Sequence, residues 1–120
     1  MLDHVSLSVT NAVRSQAFYA KALEPLGYKL ISQYEGGFGI GSEAGSTVWA
    51  SQGSAQKPIA HLAFRASTRE TVDAFYRAAL AAGGKDNGKP GVRPDYSPTY
   101  YAAFVFDPDG NNIEAVCHVG

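Results

Sequence analysis

Residues 2–27 read LDHVSLSVTNAVRSQAFYAKALEPLG, and residues 59–84 read IAHLAFRASTRETVDAFYRAALAAGG. At a constant offset of 57, His4 falls on His61, Ala17 on Ala74, Phe18 on Phe75, Tyr19 on Tyr76, Ala22 on Ala79, Leu23 on Leu80 and Gly27 on Gly84, without a gap. Random composition does not give such a window, so the chain carries an internal duplication. Within each copy the hydrophobic period changes from two to about 3.6. Val5, Leu7 and Val9 alternate with His4, Ser6 and Ser8, which is a strand with one apolar and one polar face. Thr10 or Asn11 then supplies a helix N-cap, and Ala17, Phe18, Ala22, Leu23 and Leu26 recur at helical spacing until Pro25 and Gly27 close the helix. In the second copy His61, Ala63 and Arg65 share one strand face, with Leu62 and Phe64 on the other. Ser67 or Thr68 caps a helix whose stripe is Val72, Phe75, Ala79 and Leu80.

Further strands are expected at about 28–34, 37–42 and 46–51 in the first half and at about 100–107 and 111–118 in the second, with a loop rich in Gly, Lys and Pro over 85–99. Asp107-Pro108-Asp109-Gly110 has the residue chemistry of a tight turn between the last two strands. The expected fold is α+β: strand–helix–strand–strand–strand, twice, in modules of about 1–55 and 56–120 that make one domain. The helices cover one side of each sheet, and the side bearing His4, Ser6, Ser8 and His61 lines a cup.

At 120 residues, 45% of them hydrophobic and 18% charged, the chain is long enough to bury a core. A formal net charge of −1, with no basic block, speaks against nucleic acid and anionic membrane as partners. The single cysteine, Cys117, forms no intrachain disulfide and reads as a small buried residue on the face opposite Glu114. No apolar run approaches a membrane span, and the N-terminus alternates where a signal peptide would be continuously apolar, so a cytoplasmic protein is expected.

Three residues stand out for chemistry: His4, its repeat equivalent His61, and Glu114 in an otherwise apolar strand. Imidazole and carboxylate suit Zn(II), Fe(II), Mn(II), Ni(II) or Co(II), and two histidines with one carboxylate leave coordination positions open for substrate. A carboxylate in an apolar strand is costly unless paired, and a divalent cation is one partner; Arg65, on the same face as His61, is another. Phe18, Tyr19, Phe75 and Tyr76 read as core packing. The glycines at 36, 37, 39 and 41 fit turns and close strand packing better than a phosphate loop. The stretch 93–101, with Arg93, Tyr96, Tyr100 and Tyr101, suits substrate recognition or a lid. His118 alternates onto the face of Glu114 but reads as a rim residue rather than a ligand.

The opening His4-Val5-Ser6-Leu7, the helix Ser15-Gln16-Ala17-Phe18-Tyr19, Ala60-His61-Leu62-Ala63-Phe64 and the closing Phe106-Asp107-Pro108-Asp109-Gly110-Asn111-Asn112-Ile113-Glu114 together resemble the vicinal oxygen chelate superfamily, the glyoxalase/bleomycin resistance/dioxygenase group. The resemblance implies paired βαβββ modules forming a cup around a divalent metal, with the site often completed across a homodimer. It maps His4, His61 and Glu114 onto metal-ligand positions. Glyoxalase I enzymes of the group use a fourth ligand, a carboxylate on the last strand of the first module. Here that strand reads Thr47-Val48-Trp49-Ala50-Ser51, which has no acid, so lactoylglutathione lyase activity is in doubt. The better comparisons are the three-ligand members: fosfomycin-modifying transferases, extradiol dioxygenases and some epimerases.

The leading expectation is a metal-dependent enzyme acting on a small oxygen-chelating substrate. Its metal, Zn, Ni, Mn or Fe, is held by His4, His61 and Glu114, with Glu114 and Tyr101 in catalysis and Trp49, Arg65, Tyr96, Tyr100 and Tyr101 at the substrate. The rival is a metal-free protein of the bleomycin-resistance kind that binds a small molecule in an aromatic cleft. A third reading is a non-catalytic member that acts by dimerising.

Overall fold

A computed structural model describes residues 2–120. The first module runs β1 (His4–Val9), α1 (Ala12–Ala22), a single 3-10 turn (Glu24–Leu26), β2 (Lys29–Tyr34), β3 (Gly37–Gly41) and β4 (Thr47–Gln52). The second runs β5 (His61–Arg65), α2 (Arg69–Ala81), β6 (Lys85–Val92), β7 (Tyr101–Phe106) and β8 (Asn112–Cys117). Each module folds into a four-stranded mixed sheet of the same topology, β1-β4-β3-β2 and β5-β8-β7-β6. In both, the first strand pairs parallel with the last, and the other pairings are antiparallel. The duplication in the sequence is therefore a duplication of the βαβββ fold. No helix among the described residues is long and apolar enough to cross a membrane.

The helix caps are local chemistry. Asn11 caps α1 by accepting from the amide of Arg14 at 3.0 Å, and Thr68 caps α2 by accepting from the amide of Thr71 at 3.1 Å, each satisfying an amide that the first helical turn leaves free. Gly27, at φ +86°, closes the turn after α1 in the left-handed region that glycine enters without strain. Phe18, Tyr19, Val72 and Phe75 are fully buried and join Phe38, Ile40, Val105 and Ile113 in one core shared by both modules, where α1 packs against α2. Leu80 falls outside that core, 36% exposed, and Tyr76 is only partly buried, its hydroxyl donating to Asp86 at 3.0 Å.

The expected loop over 85–99 is corrected: Lys85–Val92 forms β6. This segment has no apolar alternation and contains Pro90, so neither propensity nor pattern announces a strand. Pairing with β7 makes it one, and register shifts between Asp86 and Gly88 and between Gly88 and Gly91 accommodate the residues that would not fit a regular ladder.

The two modules are stitched by a buried polar knot. Asp107, 4% exposed, accepts four hydrogen bonds: from the amides of Asp109 (2.9 Å) and Asn111 (2.8 Å), from Asn111 Nδ2 (2.9 Å), and from the hydroxyl of Tyr19 on α1 (2.5 Å). Beside it, Asp109 accepts from the hydroxyl of Thr10 at 2.5 Å and lies 3.6 Å from Arg14. Burial, and then the charge of Asp107, pushes the Tyr19 phenol well above its ordinary pKa, so it stays a donor. Removing the acceptor strands every one of these donors, whereas removing the phenol leaves Asp107 with three. Asp107→Ala is expected to cost about 3 kcal/mol or more and Tyr19→Phe about half as much, measured by chemical denaturation.

Candidate functional site

Parallel pairing of β5 with β8 aligns His61 with Asn112 and Ala63 with Glu114. His61 and Glu114 thus start two residues apart in register, and their side chains reach across: His61 Nε2 lies 2.9 Å from Glu114 Oε1. The other carboxylate oxygen, Oε2, accepts from the hydroxyl of Tyr100 at 2.5 Å. Glu114 is 1% exposed, whereas half of the His61 side chain is open to solvent. A buried carboxylate is thereby fully spoken for, with one oxygen aimed at an imidazole and the other held by a phenol. Burial first, then the hydrogen bond and charge of Glu114, pushes the Tyr100 phenol up to about 12. Tyr100 is therefore protonated at neutral pH and acts on Glu114 as a donor. Its ring meets Tyr96 edge-on at 5.0 Å and His118 edge-on at 5.3 Å, and the ring of Phe104, whose other neighbour is the Arg93 guanidinium at 5.3 Å, lies 6.3 Å from His61.

The first module presents the equivalent face with different chemistry. There His4 aligns with Thr47 and Ser6 with Trp49, so Trp49 occupies the position that Glu114 holds in the second module. The next strand explains how so large a ring is accommodated. Gly39 lies opposite Trp49, and a Cβ on it would sit 2.4 Å from the indole; a Cβ on Gly37 would meet the Tyr34 ring at 2.5 Å. The alternating glycines of β3 are a track on which Tyr34 and Trp49 lie flat. Tyr34 is left 46% exposed and Ile31 56% exposed, which makes this face apolar and open.

His61, Glu114 and Tyr100 come together; the other expected site residues distribute around them. His4 is exposed, and its Nδ1 lies 2.8 Å from Asp3 Oδ1. It shares with His61 and Arg65 the lining of a cleft of about 670 Å³ between the modules, but no group of three or more His, Cys, Asp or Glu among the described residues is arranged to hold a metal ion. Arg65 is exposed and does not pair with Glu114, which His61 and Tyr100 engage instead. Tyr96 is 68% exposed at the rim. The expectation for Tyr101 is corrected: its hydroxyl donates to Asp73 of α2 at 2.7 Å and Arg69 lies over its ring at 4.9 Å, on the helix-covered side of the sheet. A strand sends successive side chains to opposite faces, so Tyr100 and Tyr101 cannot both face Glu114.

The donor pair is a suitable half of a metal site. Two cis ligands at the usual bond lengths of roughly 2.1 Å stand about 3 Å apart, close to the 2.9 Å between Nε2 and Oε1. Among the described residues no third His, Cys, Asp or Glu joins this pair.

The sequence model of the glyoxalase/bleomycin resistance protein/dioxygenase superfamily matches residues 1–115. The chain belongs to this superfamily. A solved glyoxalase/bleomycin resistance protein from Albidiferax ferrireducens is similar at 30% identity, with 98% of each chain covered and a TM-score of 0.79. An integron cassette protein from V. cholerae is similar at 25% identity, covering 99% of this chain and 95% of its own, with a TM-score of 0.72. A family enzyme from Burkholderia phytofirmans, at 19% identity and a TM-score of 0.77 over 98% of each chain, shares the fold. No curated protein matches. The superfamily member described here thus has a strongly asymmetric pair of modules: imidazole with carboxylate in one, imidazole with indole in the other.

Two consequences are measurable. Gly39→Ala lifts Trp49 from its track, and because Trp49 is the only tryptophan, the expected result is a red-shifted emission with little change in far-UV circular dichroism. Between pH 10 and about 12 the unfolded Tyr100 ionises while the folded one does not, so folding stability falls across that interval as the unfolded state releases protons first. Tyr100→Phe should show a shallower fall, followed as the denaturation midpoint against pH.

Proposed function

We propose that the chain is a divalent-metal-dependent enzyme acting on a small molecule that offers the ion two oxygens. His61 and Glu114 of one copy would hold the ion, with His4 of a second copy completing the set in a homodimer working in the cytoplasm. The observation that carries this reading is the buried Glu114, oriented by Tyr100 through Oε2 and facing His61 Nε2 at 2.9 Å through Oε1. Zn, Ni, Mn and Fe all accept such donors. A bound ion there supplies Lewis acidity, polarising a carbonyl or stabilising an enolate or alkoxide.

The chain's own residues have distinct tasks in this reading. Tyr100 keeps one oxygen of Glu114 engaged, so that a single oxygen is presented to the ion. Trp49, at the position equivalent to Glu114, contributes a flat wall in place of a fourth donor, which argues against lactoylglutathione lyase activity. Tyr96 and Arg65 border the space where substrate would enter.

One observation favours a second reading, a metal-free binding protein: the open face of Trp49, Tyr34 and Ile31 is suited to an apolar ligand without any ion.

Metal content decides between them. Protein purified without chelators or a polyhistidine tag is expected to carry about one divalent ion per chain, lost in His61→Ala and Glu114→Ala. If His4 comes from a second copy, His4→Ala and Glu114→Ala chains are each empty alone, but refolded together in equal amounts they regain roughly a quarter of the wild-type metal, because each mixed dimer has one intact site. Absence of metal after reconstitution with Mn(II), Fe(II), Ni(II) and Zn(II) leaves the binding-protein reading.

A further inference from the structure

The cleft of about 670 Å³ between the modules is within the range of small-molecule sites, about 300–1,000 Å³. It is lined on one side by Leu2, Asp3 and the first two residues of β1 with the residues around Ser46, and on the other by the whole of β5. Its walls are mixed: apolar side chains such as Val5, Tyr28 and Leu62 alternate with the hydroxyls of Ser42, Ser46 and Thr47. The charges are unequal. Asp3 is the one carboxylate on the lining, and its Oδ1 is engaged by His4 at 2.8 Å. Arg65 is the one arginine, and none of the ion pairs or side-chain hydrogen bonds among the described residues involves it. A guanidinium with no polar partner among the described residues therefore borders a cleft whose one carboxylate among them is already engaged.

The duplication sharpens the point. The position equivalent to Arg65 at the offset of 57 is Ser8. Ser8 is closed off: its hydroxyl donates to the carbonyl of Ser54 and its amide to Gln56 Oε1 at 3.3 Å. The two modules thus carry one end sealed by a loop and one end left open, with a cation that has no polar partner among the described residues. An isolated arginine on a strand face gains nothing in stability from exposure, whereas its planar fork matches the two oxygens of a carboxylate, phosphate or phosphonate.

We infer that this cleft binds a small organic oxyanion, with the anionic group on Arg65 and an apolar body between Tyr28, Leu62 and Val5. The inference goes beyond the metal-enzyme reading and does not require it. His61 borders both places, so an anion in the cleft would enter the proposed metal site from its side, and the substrate class would be anionic if that reading holds.

The test uses chelator-treated wild-type protein, so that a metal cannot contribute, and isothermal titration with phenylphosphonate as probe and benzyl alcohol as its neutral counterpart. The expected result is saturable binding of phenylphosphonate that weakens with added salt, and no binding of benzyl alcohol. Arg65→Gln should weaken phenylphosphonate binding tenfold or more, and Arg65→Lys should recover only part of it, since the charge returns without the fork. Ala44→Trp is placed at the exposed rim of the cleft, away from the shallow hollow by Pro25, Ser67 and Thr71 that Arg65 also borders, and should abolish binding. Equal affinity in wild type and Arg65→Gln, binding that survives Ala44→Trp, or no binding of phenylphosphonate at millimolar concentration would each overturn the inference. Metal content of Arg65→Gln is expected to equal wild type, which keeps failure of this inference separate from failure of the metal reading.

Discussion

The hydrogen bond from Tyr19 to Asp107 is the contact on which the arrangement of the two modules depends. It runs from the last turn of the first helix to the turn between the last two strands, 88 residues away in sequence, and both partners are buried. Apolar contacts between α1 and α2 bring the modules together without specifying an orientation, because hydrophobic burial is non-directional. A buried carboxylate with four donors is directional, and sliding one module against the other would leave several polar groups unpaired at once. The same turn that receives Tyr19 also feeds β8, so the knot that registers the modules positions the strand carrying Glu114.

Given that frame, the chemical asymmetry of the two sheet faces follows from one register position. The pseudo-equivalent sites opposite Ser6 and Ala63 hold Trp49 and Glu114. In the second module a carboxylate there requires two polar partners, and His61 and Tyr100 provide them. In the first module an indole requires space, and Gly39 provides it. Each choice propagates one strand further: the glycine track of β3 is explained by the rings it supports, and the Tyr96–Tyr100–His118 cluster by the carboxylate it covers. Duplication gave two similar sheets, and divergence made one a polar wall and the other an aromatic one.

Features with a local cause are legible in the sequence. The period-two faces of β1 and β5 and the caps Asn11 and Thr68 sit within short windows whose backbone geometry dictates them. Features with a non-local cause are not. Lys85–Val92 is a strand because β7 offers it a ladder, not because its own residues prefer one. Tyr100 and Tyr101 are adjacent phenols of the same chemistry, yet they lie on opposite faces, on Glu114 and Asp73; composition of a loop does not reveal where alternation begins. Leu80 fits a helical stripe with Val72 and Phe75, but it is 36% exposed while its neighbour Ala79 is fully buried, so the buried face of α2 passes through Ala79 instead.

The sequence alone determined the repeat, the βαβββ order of the first module, the apolar and polar faces, and that two histidines and a glutamate occupy sheet faces free of helix. These are consequences of chain periodicity, which each residue shares with its near neighbours. Only the tertiary structure decided which of those groups meet. Parallel pairing of β5 with β8 joins His61 to Glu114, the entry into β7 turns Tyr100 onto Glu114 and Tyr101 onto Asp73, and His4 stays with Asp3 across the cleft. Those contacts depend on strand partners and register between residues far apart in the chain, and side-chain alternation within a strand carries no information about either.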